Sequence, residues 1–237
     1  MVLQIRKLKK AFRAPDGEIT PIVDVDAFDL AAGQQVALAG SSGSGKTTLL
    51  HLIAGILTPD SGEVAIGGQV VSTLRESERD RIRATWIGYI FQTFNLLQGY
   101  TALENVELAM RFGGGLDEAY ARHLLERVGL RDRLHYRPRQ LSVGQQQRVA
   151  VARALANHPR LVLADEPTGN LDHRHATDAL TLVRDICREQ NAALLLVSHD
   201  REVLRSFDDV RQLHDINRAA LAPAALANAS PSVGGFA

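Results

Sequence analysis

Residues Gly40-Ser41-Ser42-Gly43-Ser44-Gly45-Lys46-Thr47 satisfy the pattern G-x-x-x-x-G-K-[ST]. Glycines let a backbone close around a phosphate with its N–H groups turned inward. A helix opening at Lys46 adds partial positive charge where the anion would sit. In such a loop Lys46 reaches the β- and γ-phosphates and the Thr47 hydroxyl binds Mg²⁺. With Thr48 beside it, the stretch from Gly40 to Thr48 is the candidate cradle for ATP. Far downstream, the apolar run Leu161-Val162-Leu163-Ala164 ends in two acids, Asp165 and Glu166. Carboxylates at the C-terminal edge of a strand lie where open α/β sheets bind ligands. Asp165 is the expected Mg²⁺ partner. Glu166 is placed to orient or deprotonate a water attacking the γ-phosphate. Taken alone, two solvated acids capping a turn would read the same way, and the glycine loop is what favours the catalytic reading.

The elements that must position these residues follow from patterning. Val2 to Leu8 alternates apolar and polar residues, as a strand at a sheet edge does. Ala14-Pro15-Asp16-Gly17 is a turn, and Glu18 to Leu30 reads as another strand. Gln35 to Ala39 is a short apolar strand leading into the glycine loop, and a helix runs from Lys46 to about Gly55. A turn at Pro59-Asp60-Ser61-Gly62 precedes a strand over Glu63 to Ile66. Glu76 to Ala84 is a polar helix, whose Arg79, Arg81 and Arg83 stand among acids as a solvated face. Trp86 to Phe91 is a buried-type strand.

From about Phe94 to Pro159 the pattern is helical and holds no convincing strand. Thr101-x-x-Glu104 and Ser142-x-x-Gln145 are capping boxes that open helices, and Asp117 to Val128 is a helix stopped by Gly129. Strands resume at Leu161 to Ala164 and at Ala193 to Val197, separated by a helix over His173 to Gln190. The expected fold is therefore α/β: a mainly parallel sheet core with an antiparallel β edge and an inserted α-helical sub-domain, about residues 94–158. The main domain spans 1–217. The Ala/Pro/Ser/Gly-rich segment 218–237 reads as a loosely ordered tail.

Four further segments resemble one family. Leu141-Ser142-Val143-Gly144-Gln145 looks like the signature LSGGQ of ABC ATPases, a branch of the P-loop NTPases. Pro167-Thr168-Gly169-Asn170-Leu171-Asp172 looks like the family's D-loop, Ser198-His199-Asp200 like its switch histidine, and Gln92 like its Q-loop glutamine. They lie in the family's order, and the resemblance as a whole spans about Val2 to Asp215, nearly the whole chain. The finer wording, in Phe91 to Leu97, Thr101 to Val106 and Ala164 to Asp172, resembles ATPases of lipoprotein-release and macrolide-efflux systems, although amino-acid importers share much of it.

The resemblance implies a head-to-tail homodimer in which ATP is sandwiched between the phosphate loop of one copy and Ser142, Gly144 and Gln145 of the other. It implies that Gln92 contacts Mg²⁺ or the attacking water, that His199 holds the γ-phosphate and the water with Glu166, and that Asp172 supports the interface. Phe12 falls where the family stacks an aromatic ring on adenine, and plain core packing is the alternative for it. Val143 departs from the family's glycine, so turnover is expected to be reduced. An integral membrane permease subunit is the implied partner, with export or mechanotransmission as the implied work. An importer ATPase or a soluble non-transport ATPase is the alternative.

Composition narrows the rest. Formal charge is zero, with 27 basic and 27 acidic side chains, which argues against nucleic acid as a partner. One cysteine, Cys187, excludes an intramolecular disulfide. No run approaches the roughly 18–20 apolar residues of a membrane span, and the first residues lack a signal-peptide pattern. The expected place is cytoplasmic, peripheral on the inner face of the cell membrane. The remaining histidines show no metal-ligand spacing.

Overall fold

A computed structural model describes residues 1–169 and 173–221, with the backbone alone at 173–176 and 221. Two sheets share the molecule. The strands β1 (Leu3–Arg13), β2 (Ile19–Leu30), β4 (Ser61–Ile66) and β5 (Gln69–Val70) form an antiparallel sheet in the order β2-β1-β4-β5. The second sheet has the order β6-β7-β8-β3-β9 and is parallel throughout. Its strands are β3 (Gln35–Ala39), β6 (Ile87–Ile90), β7 (Leu161–Asp165), β8 (Ala193–Ser198) and β9 (Asp209–Gln212).

Every residue of β7 and β8 is buried, as expected of central parallel strands covered on both faces. Their unbroken apolar runs made them readable. β1 runs past the expected end at Leu8. The alternation stops at Lys9-Lys10, but pairing with β2 carries the strand through a register shift at Lys10/Ala11 to Phe12 and Arg13. β5 and β9 gave no signal, being short and partly exposed.

Helix α1 (Lys46–Ile53) follows the glycine loop, and Gly55, at φ 65°, lets the chain turn away behind it. Helix α2 (Glu76–Trp86) carries Arg79 and Arg83 in ion pairs with Glu76 and Asp80. Of the three arginines expected on a solvated face, however, only Arg81 is exposed. Arg79 donates to the Thr58 hydroxyl and Arg83 to the Gly55 carbonyl, which covers both against the turn after α1. Between β6 and β7 the chain is helical: α3 (Ala102–Phe112), α4 (Glu118–Arg127) and α5 (Val143–Leu155). Both capping boxes form, Thr101 with Glu104 and Ser142 with Gln145. The apolar faces of these helices close one core cluster, from Val106 and Leu125 to Val151. A second cluster lies between the two sheets and α1, around Leu38, Leu50 and Val64.

Helix α6 (His173–Glu189) leads to β8. Two short helices, α7 (Arg201–Arg205) and α8 (Leu213–Ile216), complete the described chain. Arg218–Leu221 is a 3-10 turn, tied back by Arg218 to Asp26 at 3.3 Å. Residues 222–237 of the expected tail lie outside the described residues, as do Asn170, Leu171 and Asp172.

Candidate functional site

The parallel sheet delivers the site along one edge. β3 ends at Ala39, and the loop from Gly40 to Gly45 joins it to α1. Gly43 and Gly45 stand at φ 78° and 91°, a region that side chains disfavour. At Gly45 a Cβ would also lie 2.7 Å from the Ile22 carbonyl oxygen, so no other residue fits there without a shift. Ser44 Oγ donates to the Ser41 carbonyl at 2.8 Å and tightens the turn.

Lys46 opens α1, and its side chain folds back over the loop. Nζ donates to the carbonyls of Gly40 and Ser41, each at 2.9 Å, and stands 3.3 Å from Glu166 Oε1. Thr47 lies beside Asp165 at the end of β7 and favours its carboxylate form. Burial pushes the Asp165 carboxyl above its ordinary range, and the Thr47 side chain opposes that shift. Asp165 Oδ1 is buried without a hydrogen-bond partner.

Glu166 is the most heavily constrained side chain of the site. Its backbone sits at φ 43°, a conformation costing about 1–2 kcal/mol for a residue with a Cβ. Its carboxylate is held from three sides. Ser198 Oγ donates to Oε2 at 3.0 Å, His199 Nδ1 meets Oε1 at 2.7 Å, and Lys46 Nζ approaches Oε1. The strain is thus tied to a fixed aim for the side chain. The same Ser198 hydroxyl accepts from the Asp200 N–H at 3.0 Å, and the Asp200 carboxylate caps α7.

Phe12, Ile22, Ser42, Gly43, Gly45, Lys46, Thr47, Thr48, Gln92, Glu166 and His199 line one cleft of about 370 Å³. Phe12 is 43% exposed and lines this cleft, which sets aside core packing as its role. Gln92, just after β6, joins it from the side of the helical insertion. Ser142, Gly144 and Gln145 do not line it. Ser142 caps α5, with Val143 49% exposed at the first helical position. The chain therefore gathers one group of expected residues and leaves the other on a separate, exposed helix tip. Asp172 falls outside the described residues.

Besides the bond from Ser198 to Glu166, three contacts are not marked in the sequence. Gln147 of α5 is buried and donates to the Pro167 carbonyl, one residue past Glu166. Arg153 donates to the Phe94 and Asn95 carbonyls, each at 2.6 Å, just beyond Gln92. Asn217 is wholly buried beneath the glycine loop. The last pairs residues 173 positions apart, and no local pattern marks such a contact.

Comparisons with known proteins bear on the chain's family and fold. A protein-family model described as "ABC transporter" matches residues 23–169. The chain is 45% identical to the lipoprotein-releasing system ATP-binding protein LolD of Hydrogenovibrio crunogenus, over 90% of this chain and 94% of that protein. It is 42% identical to LolD of Xanthomonas campestris pv. campestris, over 95% of each chain. Among solved structures, the dimeric ATP-binding cassette MJ0796 bound to ADP and Pi superposes with TM-score 0.81 at 34% identity, covering 89% of this chain and 93% of that one.

Proposed function

The chain belongs to the ABC transporter ATP-binding family, and from that premise we propose that two copies close on two ATP molecules to power a membrane subunit that releases lipoproteins. ATP binding and hydrolysis are the family's activity, and solved cassettes similar to this chain are dimeric. The lipoprotein assignment rests on the names of the LolD relatives. No helix among the described residues is long and apolar enough to cross a membrane. In this reading the membrane subunit supplies that function and holds the chain at the inner face of the cell membrane.

The observation that carries the hydrolytic reading is the fixed carboxylate of Glu166, 2.7 Å from His199 and beside Lys46 in the cleft. Phosphoryl transfer to water is catalysed chiefly by positioning and charge stabilisation. Lys46 exchanges its loop carbonyls and Glu166 for the β- and γ-phosphates. Freed from Lys46, the Glu166 carboxylate accepts a proton from, or orients, the attacking water. His199, two-thirds exposed at the cleft mouth, binds the γ-phosphate while its other face steadies Glu166. Gln92 approaches the water from the helical insertion and reports the state of the membrane partner. Phe12 offers an exposed ring to the adenine. Asp172 is assigned to the dimer interface.

The donors fit Mg²⁺. Asp165 presents a buried oxygen with no other partner, next to the Thr47 hydroxyl, and hard oxygen ligands from one carboxylate and one hydroxyl, with phosphate oxygens, are what this ion takes. When bound, Mg²⁺ neutralises charge on the phosphate oxygens. Thr47 and Asp165, with Gln92 nearby, would hold it.

The decisive variant is Glu166→Gln, which keeps the shape and removes the base. Steady-state phosphate release should fall by about 10²–10⁴-fold, and ATP should drive the chain into a stable dimer visible by sedimentation. Turnover like that of the unmodified chain would remove Glu166 from this role.

A further inference from the structure

The carboxamide of Asn217 is 0% exposed and spends all its capacity on the backbone. Nδ2 donates to the Ile22 carbonyl at 2.9 Å and to the Ser44 carbonyl at 3.3 Å. Oδ1 accepts from the Asp24 N–H at 2.7 Å and from the Ala219 N–H at 3.3 Å. One side chain thus joins β2, whose Ile22 lines the cleft, to the back of the glycine loop. Four residues earlier, the buried Leu213 of α8 backs the start of the same loop, 3.3 Å from where a Cβ on Gly40 would stand.

A trans peptide is planar, with its C=O and N–H pointing in opposite directions. Holding the Ser44 carbonyl towards Asn217 therefore turns the Gly45 N–H away from Asn217, towards the open side of the loop. The packing agrees: a Cβ on Gly45 would be 3.4 Å from Asn217 Nδ2, so the Gly45 backbone rests on the carboxamide. Because each carbonyl and N–H served by Asn217 is otherwise left without this partner in a dry site, loss of the side chain frees the peptide to rotate.

We propose that Asn217 is a positioning residue for ATP binding, which sets the orientation of the Ser44–Gly45 peptide so that its N–H faces the phosphates. The proposal rests on reading the loop as the phosphate cradle, and the test keeps the two separate. In the full chain, Asn217→Ala should weaken ATP binding by about tenfold, the loss expected for one or two unmade bonds at the loop. Saturated turnover should stay within about twofold, because a group that fixes ground-state binding alone moves KM and not kcat. Amide hydrogen exchange over residues 43–46 should quicken. Leu125→Ala, in α4 and remote from the loop, should lower thermal stability while leaving ATP affinity unchanged.

If Asn217→Ala is folded and binds ATP as the unmodified chain does, the proposal is overturned. An equal loss of affinity in Leu125→Ala also overturns it, because general destabilisation would then explain the result. Should Asn217→Ala not fold, Asn217→Ser is titrated against ATP with the same two outcomes. Lys46→Ala in the same titration tests the cradle itself. If it weakens ATP and the Asn217 variants do not, only the present proposal fails.

Discussion

Asp165 is a carboxylate kept where ionisation is costly. Burial raises its pKa in the fold, against the opposing effect of the Thr47 side chain. The fold then binds this proton more tightly than the unfolded chain, so this group's contribution to stability is full below the ordinary aspartate pKa and declines as pH climbs through the raised value. Asp165→Asn removes the ionisation. It should raise the melting temperature of the nucleotide-free chain at pH 7, with the gain vanishing below about pH 4, and abolish Mg²⁺-dependent hydrolysis. Thermal melts at several pH values check the sign, and an unchanged melting temperature at pH 7 contradicts it. Asp165 and Glu166 were legible because a buried strand running into two acids is a local pattern. Ser198, which holds Glu166 from behind, was not, because its importance comes from facing a carboxylate 32 residues away.

Among the elements, α5 ties the helical insertion to the surroundings of the site. Ser142 caps its outer tip, Gln147 reaches the Pro167 carbonyl, and Arg153 grips the Phe94 and Asn95 carbonyls. Phe94 and Asn95 stand at φ 57° and 48°, so the segment after Gln92 is held in a conformation it would not keep alone. Arg153→Ala leaves those carbonyls without their charged donor and should cost about 1.5–3 kcal/mol in denaturant unfolding. A loss under half a kcal/mol would mean that the segment holds its own shape. At the tip, Val143→Gly removes a half-exposed side chain from a helix end assigned to the partner's nucleotide. Steady-state turnover should rise, while the helix loses at most about 1 kcal/mol to glycine. Unchanged or lower turnover sinks the crowding explanation. The capping box made this helix start readable from sequence. α8 was not readable, since its four residues carry no period, and it meets the glycine loop through Leu213 and through Asn217, which follows it.

At the scale of the molecule, the division into a parallel sheet, an antiparallel edge and a helical insertion followed from patterning, because buried parallel strands and capped amphipathic helices announce themselves locally. The positions of the sheets relative to each other did not, since long-range contacts such as that of Asn217 with β2 decide them. The cleft and the Ser142 helix tip are separate on one chain. In the proposed dimer a solitary copy therefore owns half of each reaction chamber. Dilution should expose this: phosphate release per mole of free chain should fall as protein is thinned at saturating ATP, approaching second order. A rate per mole that stays flat on dilution would show that one copy suffices. Two copies fastened to a common membrane subunit escape the penalty, since tethering replaces encounter by a fixed local concentration. On the proposed function, unattached chains would then consume almost no ATP, and fuel would be spent only where a transporter has gathered a pair.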